Sequence, residues 1–153
     1  MKLIFGSDHA GFNLRKTLVD HAKAQGHEVI EVGAESTEAY DYPDAADIAC
    51  EQYLGGGFDF GILVCGSGIG IEMRANKHPG IRAANCINET MASLSRSHNH
   101  ANFLCVGERL VDAETGKAIF DTFLAGEPDM AERHQRRVGK ISGPSELNSR
   151  ENC

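Results

Sequence analysis

Cys65 opens the run Cys65-Gly66-Ser67-Gly68-Ile69-Gly70, and it is the residue best placed for chemistry in this chain. A thiolate is both a base and a nucleophile, and it is favoured where backbone N–H groups and a helix start face it. The alternating glycines Gly66, Gly68 and Gly70 let a backbone come close to a ligand. A helix beginning after them offers unpaired N–H donors to an anion. Two familiar loops do not fit. A dinucleotide fingerprint, G-x-G-x-x-G, fails because Ile71 follows Gly68 at the third position. A cysteine-phosphatase loop needs an arginine where Ile71 again stands. The plainer alternative is a tight turn around a small buried cysteine.

Three further groups carry candidate chemistry. Asp8-His9 follows an apolar run and suits the rim of a crevice, although Asp8 or Ser7 would equally cap the next helix. His98 follows Met91 and Leu94 at helical spacing, which predicts a place on the buried stripe near the end of its helix. There it is either a satisfied core histidine or a general acid/base facing the crevice, while Asn99 and His100 suit the helix end. Arg133 and Arg137 are four apart and share a helix face, so an anion such as phosphate would relieve their repulsion. The alternative is a solvated basic face with Asp129 or Glu132 as partner. The remaining cysteines are less informative. Cys50, Cys86 and Cys105 read as small core residues, and Cys153 lies in the tail.

The elements that must position these groups alternate regularly. Apolar runs at Lys2–Gly6, Glu28–Val32, Phe58–Cys65, Ile81–Cys86 and Phe103–Val106 read as strands, and Phe58–Cys65 reads as a central one buried on both faces. Helices are expected from Leu14 to Gly26, from Pro43 to about Leu54, from the glycine run to about Lys77, over Glu89–His98, over Ala113–Leu124 and over roughly Met130–Ile141. Five β-α units predict an α/β fold with a five-stranded parallel sheet covered by helices on both faces. Ligands then bind at the carboxyl ends of the strands, where Asp8, Cys65 and Arg109 would converge. Residues 1–141 are expected to form one domain and 142–153 a polar tail.

Bulk composition narrows the function. The chain has 153 residues, about one domain, with 41% hydrophobic and 24% charged residues. A formal charge of −7 argues against nucleic acid as the main partner. No apolar run is long enough to span a bilayer. The start, Met1 to Asp8, is too soon polar for a signal peptide, so a cytoplasmic location is expected. Five cysteines without C-x-x-C spacing argue against a disulfide framework or a zinc site.

Taken together, these residues resemble the type B ribose-5-phosphate isomerases, a family that includes galactose-6-phosphate and allose-6-phosphate isomerases. The resemblance rests on GSDHAGF from Gly6, DYPD from Asp41, CGSGIGI from Cys65, ANKHPGIRAA from Ala75, SRSHN from Ser95, VGERLV from Val106 and RHQRRV from Arg133. It implies a Rossmann-like three-layer α/β/α domain that forms dimers, often paired into tetramers, with active sites shared between subunits. It implies Cys65 as the base that removes the C2 proton from an open-chain aldose phosphate. His98 would help open the sugar ring, assisted by Asp8. Ser67 and the backbone from Gly66 through Gly68 to Gly70 would hold the enediolate oxygens. His9, Arg109, Arg133 and Arg137 would bind the phosphate, some from the second subunit, and Tyr42 and Asn99 would line the sugar site. No metal or cofactor is implied.

The chain departs from the family at Glu72-Met73-Arg74, where small or apolar residues are usual, and at His100, which replaces a common aspartate. Some relatives use a glutamate as base where this chain has Ile71. The expected activity is aldose–ketose exchange between ribose 5-phosphate and ribulose 5-phosphate through a cis-enediolate. The alternatives are the same reaction on a tetrose or hexose phosphate, a non-catalytic sugar-phosphate sensor, and a nucleotide-binding regulatory domain.

Overall fold

The computed structural model describes residues 1–143; the expected polar tail beyond Gly143 lies outside the described residues. Five strands form the sheet: β1 (Lys2–Ser7), β2 (Glu28–Gly33), β3 (Phe60–Cys65), β4 (Ala83–Asn85) and β5 (Phe103–Gly107). All pairings are parallel, in the order β2-β1-β3-β5-β4. The helices are α1 (Phe12–Ala24), α2 (Tyr42–Leu54), α3 (Ile69–Ala75), α4 (Glu89–Asn99), α5 (Ala113–Ala125) and α6 (Glu132–Ser142). A short 3-10 turn, His9–Gly11, precedes α1. The expected α/β class and five-stranded parallel sheet are therefore present. No helix among the described residues is long and apolar enough to cross a membrane.

Alternate residues of each central strand face opposite layers. Leu3, Phe5, Ile62, Val64, Leu104 and Val106 pack under α1, α4 and α5. Ile4, Leu63, Cys65, Phe103 and Cys105 pack under α2 and α3. β3 is in the middle, buried from Gly61 to Cys65, as its unbroken apolar run requires. β4, an edge strand paired with β5, is shorter than its apolar run predicts and ends at Asn85.

Chain direction follows from this order. Each helix that links parallel strands starts at their carboxyl edge and ends at their amino edge. The connections leaving β1 and β3 run to opposite sides of the sheet. The crevice between their carboxyl ends is thus the switch point where such folds hold ligands.

Candidate active site

The switch point gathers Asp8, His9, Tyr42, Cys65, Ser67 and Arg109. Asp8 follows β1 directly and is 6% exposed. Its Oδ1 accepts the Gly11 amide at 2.9 Å, so it caps the 3-10 turn. Burial pushes its carboxyl above the usual range, against the pull of that hydrogen bond and of His9 and Arg109. Gly11 is pressed against the end of β3, where a Cβ would strike Val64 C=O and Cys65 N. That contact brings the Asp8 loop alongside the cysteine loop. His9 is held through Nδ1, which lies 3.1 Å from Tyr40 O and accepts the Tyr40 amide at 3.2 Å.

Cys65 ends β3 with its sulfur on the α2/α3 side and 4% exposed. The Gly68 amide donates to Sγ at 3.1 Å. Gly68 adopts φ +76°, a left-handed conformation that favours glycine and turns the chain into α3. Ser67 Oγ accepts the Ile69 amide at 3.3 Å. Among the described residues the Gly70 and Ile71 amides, in the first turn of α3, find no acceptor, as helix starts dictate. Tyr42 sits over Gly70, and the Arg109 guanidinium sits against Gly66, in both cases where a Cβ would collide or crowd. The Glu108 and Arg109 amides donate to Cys65 O and Gly66 O at 2.9 and 3.0 Å, which ties the loop after β5 to the cysteine loop.

The other thiols in the described residues are different. Burial pushes Cys50 up to about 12 and Cys86 up to about 11, and drives Cys105 well above the usual thiol range. These three are core residues, as their apolar surroundings predict.

His98, Asn99, Arg133 and Arg137 form a second cluster, away from the first. α4 begins after the carboxyl end of β4 and leads into the amino end of β5, so its last residues lie at the opposite edge of the sheet from Cys65. A six-residue strand such as β3 spans about 20 Å, beyond the reach of any side chain. The start of α6 joins this cluster: the Asp129 amide donates to Ser97 O at 2.9 Å, and His100 Nε2 lies 3.1 Å from Asp129 O. His100 closes α4 in the left-handed conformation at φ 50°. Arg133 pairs with Asp129 at 3.5 Å, the partner its sequence offered, and Arg137 has no carboxylate partner among the described residues.

The structure corrects the placement of His98. Met91, Leu94 and His98 all lie on the exposed face of α4, and the buried stripe is Ala92, Ser95 and Arg96. The apolar spacing suggests packing within the chain, but the core side of α4 is built from small residues and one buried arginine. Arg96 donates to Gly126 O at 3.1 Å and Ala101 O at 2.7 Å and lies over the Phe60 ring. His98 stacks on buried His134 with centroids 4.4 Å apart.

Three further groups make contacts to which the sequence assigns no role. His134 holds the His98 ring, and its own Nε2 lies 3.4 Å from Asp129 Oδ2. Burial, Arg133 and His98 lower its proton affinity below the usual imidazole value. Glu108 accepts the Leu14 amide at 2.9 Å and so caps α1 from the loop after β5. Asn85 ends β4 and donates through Nδ2 to Ser67 O at 3.2 Å. A polar residue closing an apolar strand at its carboxyl edge was the signal available for Asn85.

A groove of about 520 Å³ runs along β4 between α3, α4 and the end of α6. Ile81, Met91, Leu94 and Ile141 line it, together with Glu72 and with Asn85, the neighbour of the cysteine loop.

Comparison with known proteins agrees with this fold. A family model described as Ribose/Galactose Isomerase matches residues 3–141. Ribose-5-phosphate isomerase B of Escherichia coli (strain K12) is 44% identical over 141 residues, covering 92% of this chain and 94% of that protein. Ribose-5-phosphate isomerase B of Mycobacterium tuberculosis (strain ATCC 25618 / H37Rv) is 37% identical over 139 residues, covering 90% and 86%. The solved structure of Clostridium thermocellum ribose-5-phosphate isomerase B superposes with a TM-score of 0.90 at 47% identity, covering 93% of this chain and 95% of that one. With a parallel sheet of the same form and a match that spans nearly every described residue, this chain belongs to the ribose/galactose isomerase family.

Proposed function

We propose that this protein interconverts ribose 5-phosphate and ribulose 5-phosphate, with Cys65 as the proton-transferring base. The observation that carries the reading is the placement of Cys65 Sγ at the switch point, with the Gly68 amide donating to it at 3.1 Å. Aldose–ketose exchange moves one carbon-bound proton. The Cys65 thiolate takes the C2 proton of the open-chain aldose, and electron density passes to O1 as a cis-enediolate forms. The thiol then returns the proton to C1 on the same face, while the hydroxyl proton passes between O2 and O1. The free amides of the first turn of α3 are suited to the enediolate oxygens, and each such donor is typically worth about 3 kcal/mol in the barrier. His9 and Arg109 are suited to the phosphate. Anchoring that remote end holds C1 and C2 in register with the sulfur.

The working site is shared between two copies of the chain. His98, Asn99, Arg133 and Arg137 lie at the far edge of the sheet from Cys65, so ring opening and the second half of the phosphate clamp come from a symmetric partner. The groove beside β4 supports this arrangement. Met91, Leu94 and Ile141 are 40%, 44% and 55% exposed there, and Asn85, which lines the groove, is bonded to Ser67 of the cysteine loop. A second copy seated on it buries those side chains and brings its own amino-edge cluster toward Cys65.

Two measurements test the proposal. Ketose formation from ribose 5-phosphate, run beside tetrose and hexose phosphates with a metal chelator present, reads the reaction and the sugar. Absence of turnover and of C2 proton exchange with every sugar would defeat it. Mixing Cys65→Ala with His98→Ala protein, each nearly inactive alone, reads the sharing. Mixed dimers carry one intact site of two, so activity should recover to about a quarter of the wild-type level after random exchange. No recovery would place both residues in one subunit's site.

A further inference from the structure

We propose that Asn85 is a positioning residue for Cys65, acting through the single peptide unit that joins Ser67 to Gly68. This rests on the reading of Cys65 as the base. The two ends of that peptide face two different partners. Its carbonyl, Ser67 O, accepts from Asn85 Nδ2 at 3.2 Å, and its amide, Gly68 N, donates to Cys65 Sγ at 3.1 Å. A peptide unit is planar and trans, so fixing the direction of its carbonyl fixes the direction of its N–H.

The restraint has something to act against. Gly68 sits at φ +76°, and a glycine tolerates either sign of φ at little cost. Counter-rotation about Ser67 ψ and Gly68 φ would flip the peptide and turn a carbonyl oxygen, instead of an N–H, toward the sulfur. The glycine that permits the turn therefore also permits the wrong orientation of its peptide. Asn85 closes that option from two sides. Its Nδ2 grips Ser67 O, and its Oδ1 lies so close to Gly68 that a Cβ there would collide with it.

Asn85 is itself firmly placed. β4 pairs with β5 at Asn85 opposite Cys105, and the Asn85 amide donates to Glu72 Oε1 at 3.3 Å. The side chain's Oδ1 is buried without a hydrogen-bond partner among the described residues. An unpartnered buried amide oxygen is costly, and an apolar side chain would fill the same space without that cost. What an apolar side chain lacks is the Nδ2 donor to Ser67 O.

The test uses the full chain, with Asn85→Ala and the similarly sized, strand-favouring Asn85→Val. Alkylation of Cys65 by iodoacetamide is followed against pH by mass spectrometry of the Cys65 peptide, together with kcat, KM and thermal stability. In a folded variant the alkylation profile should move to higher pH, and kcat should fall by about 10- to 100-fold with KM within about twofold. An unmoved alkylation profile overturns the proposal whatever kcat does. The alkylation measurement does not depend on turnover, so it still decides the role of Asn85 if the wild type proves inactive on sugar phosphates. A wild-type measurement covers the case of variants that do not fold. As Cys65 titrates, the Gly68 amide and the Asn85 side-chain amide resonances should shift together, and an Asn85 amide that ignores the titration overturns the proposal.

Discussion

The two edges of the sheet hold their polar residues in contrasting ways. At the carboxyl edge, Asp8, His9 and Cys65 are each tied to backbone of the same chain, by the Gly11, Tyr40 and Gly68 peptides respectively. At the amino edge, His98 is exposed and held by a stack on His134, while Arg133 and Arg137 project from an exposed helix face. The first cluster is complete in its restraints within one chain. The second is a set of charged tips whose final positions depend on what meets them. In the proposed reaction the C2 proton is taken in the restrained half, where small displacements of a base matter most, and the adaptive half adds ring opening and part of the phosphate clamp.

Substitutions can break or sharpen that contrast. The largest effect is expected at the restrained edge: Cys65→Ala should lower kcat by about a thousandfold or more and leave KM within a few-fold, measured by ketose formation from ribose 5-phosphate. Near-normal turnover would move the base elsewhere. At the adaptive edge Arg137→Ala should raise KM by roughly 10- to 100-fold, the loss of one charge-assisted hydrogen bond, with a smaller change in kcat. A fall in kcat at constant KM would instead give Arg137 a part in the chemical step and blur the division.

The smallest effect is a pH dependence of stability at His134. Burial, with Arg133, His98 and Arg137 against the single opposing charge of Asp129, lowers its folded-state value below the reference of 6.5. A depressed value means that its contribution is present above 6.5 and is lost as pH falls through the folded-state value. The melting temperature of the wild type should therefore fall on acidification through that window. His134→Phe, which keeps a stacking ring and removes the titration, should flatten that part of the profile. An identical acid limb in both proteins would show that the stack carries no such linkage.

Most of the frame is legible in the sequence, and so is the carboxyl-edge half of the candidate site. The strands announced themselves as apolar runs, and the glycines marked where they end; Pro43 and Gly26 bracket their helices as expected. Cys65, Ser67 and the glycines were legible because a single contiguous run carries them. The amino-edge cluster was legible residue by residue but not as a place, since periodicity cannot tell a face that packs on its own sheet from one left for another surface. Met91 and Leu94 illustrate this, being apolar, helically spaced and exposed. Asn85 was missed for a different reason. Its partner is a carbonyl eighteen residues away, and no local pattern encodes a hydrogen bond across two elements.

The brevity of β4 limits how molecules of this protein can meet. An open sheet edge usually offers its backbone as a template on which a neighbour's strand can extend the ladder, without limit in number. With three residues, β4 offers too little unpaired backbone for that, and the face beside it presents side chains instead. Contact at this edge is therefore read by shape and side-chain chemistry, not by extension of the ladder into a fibril.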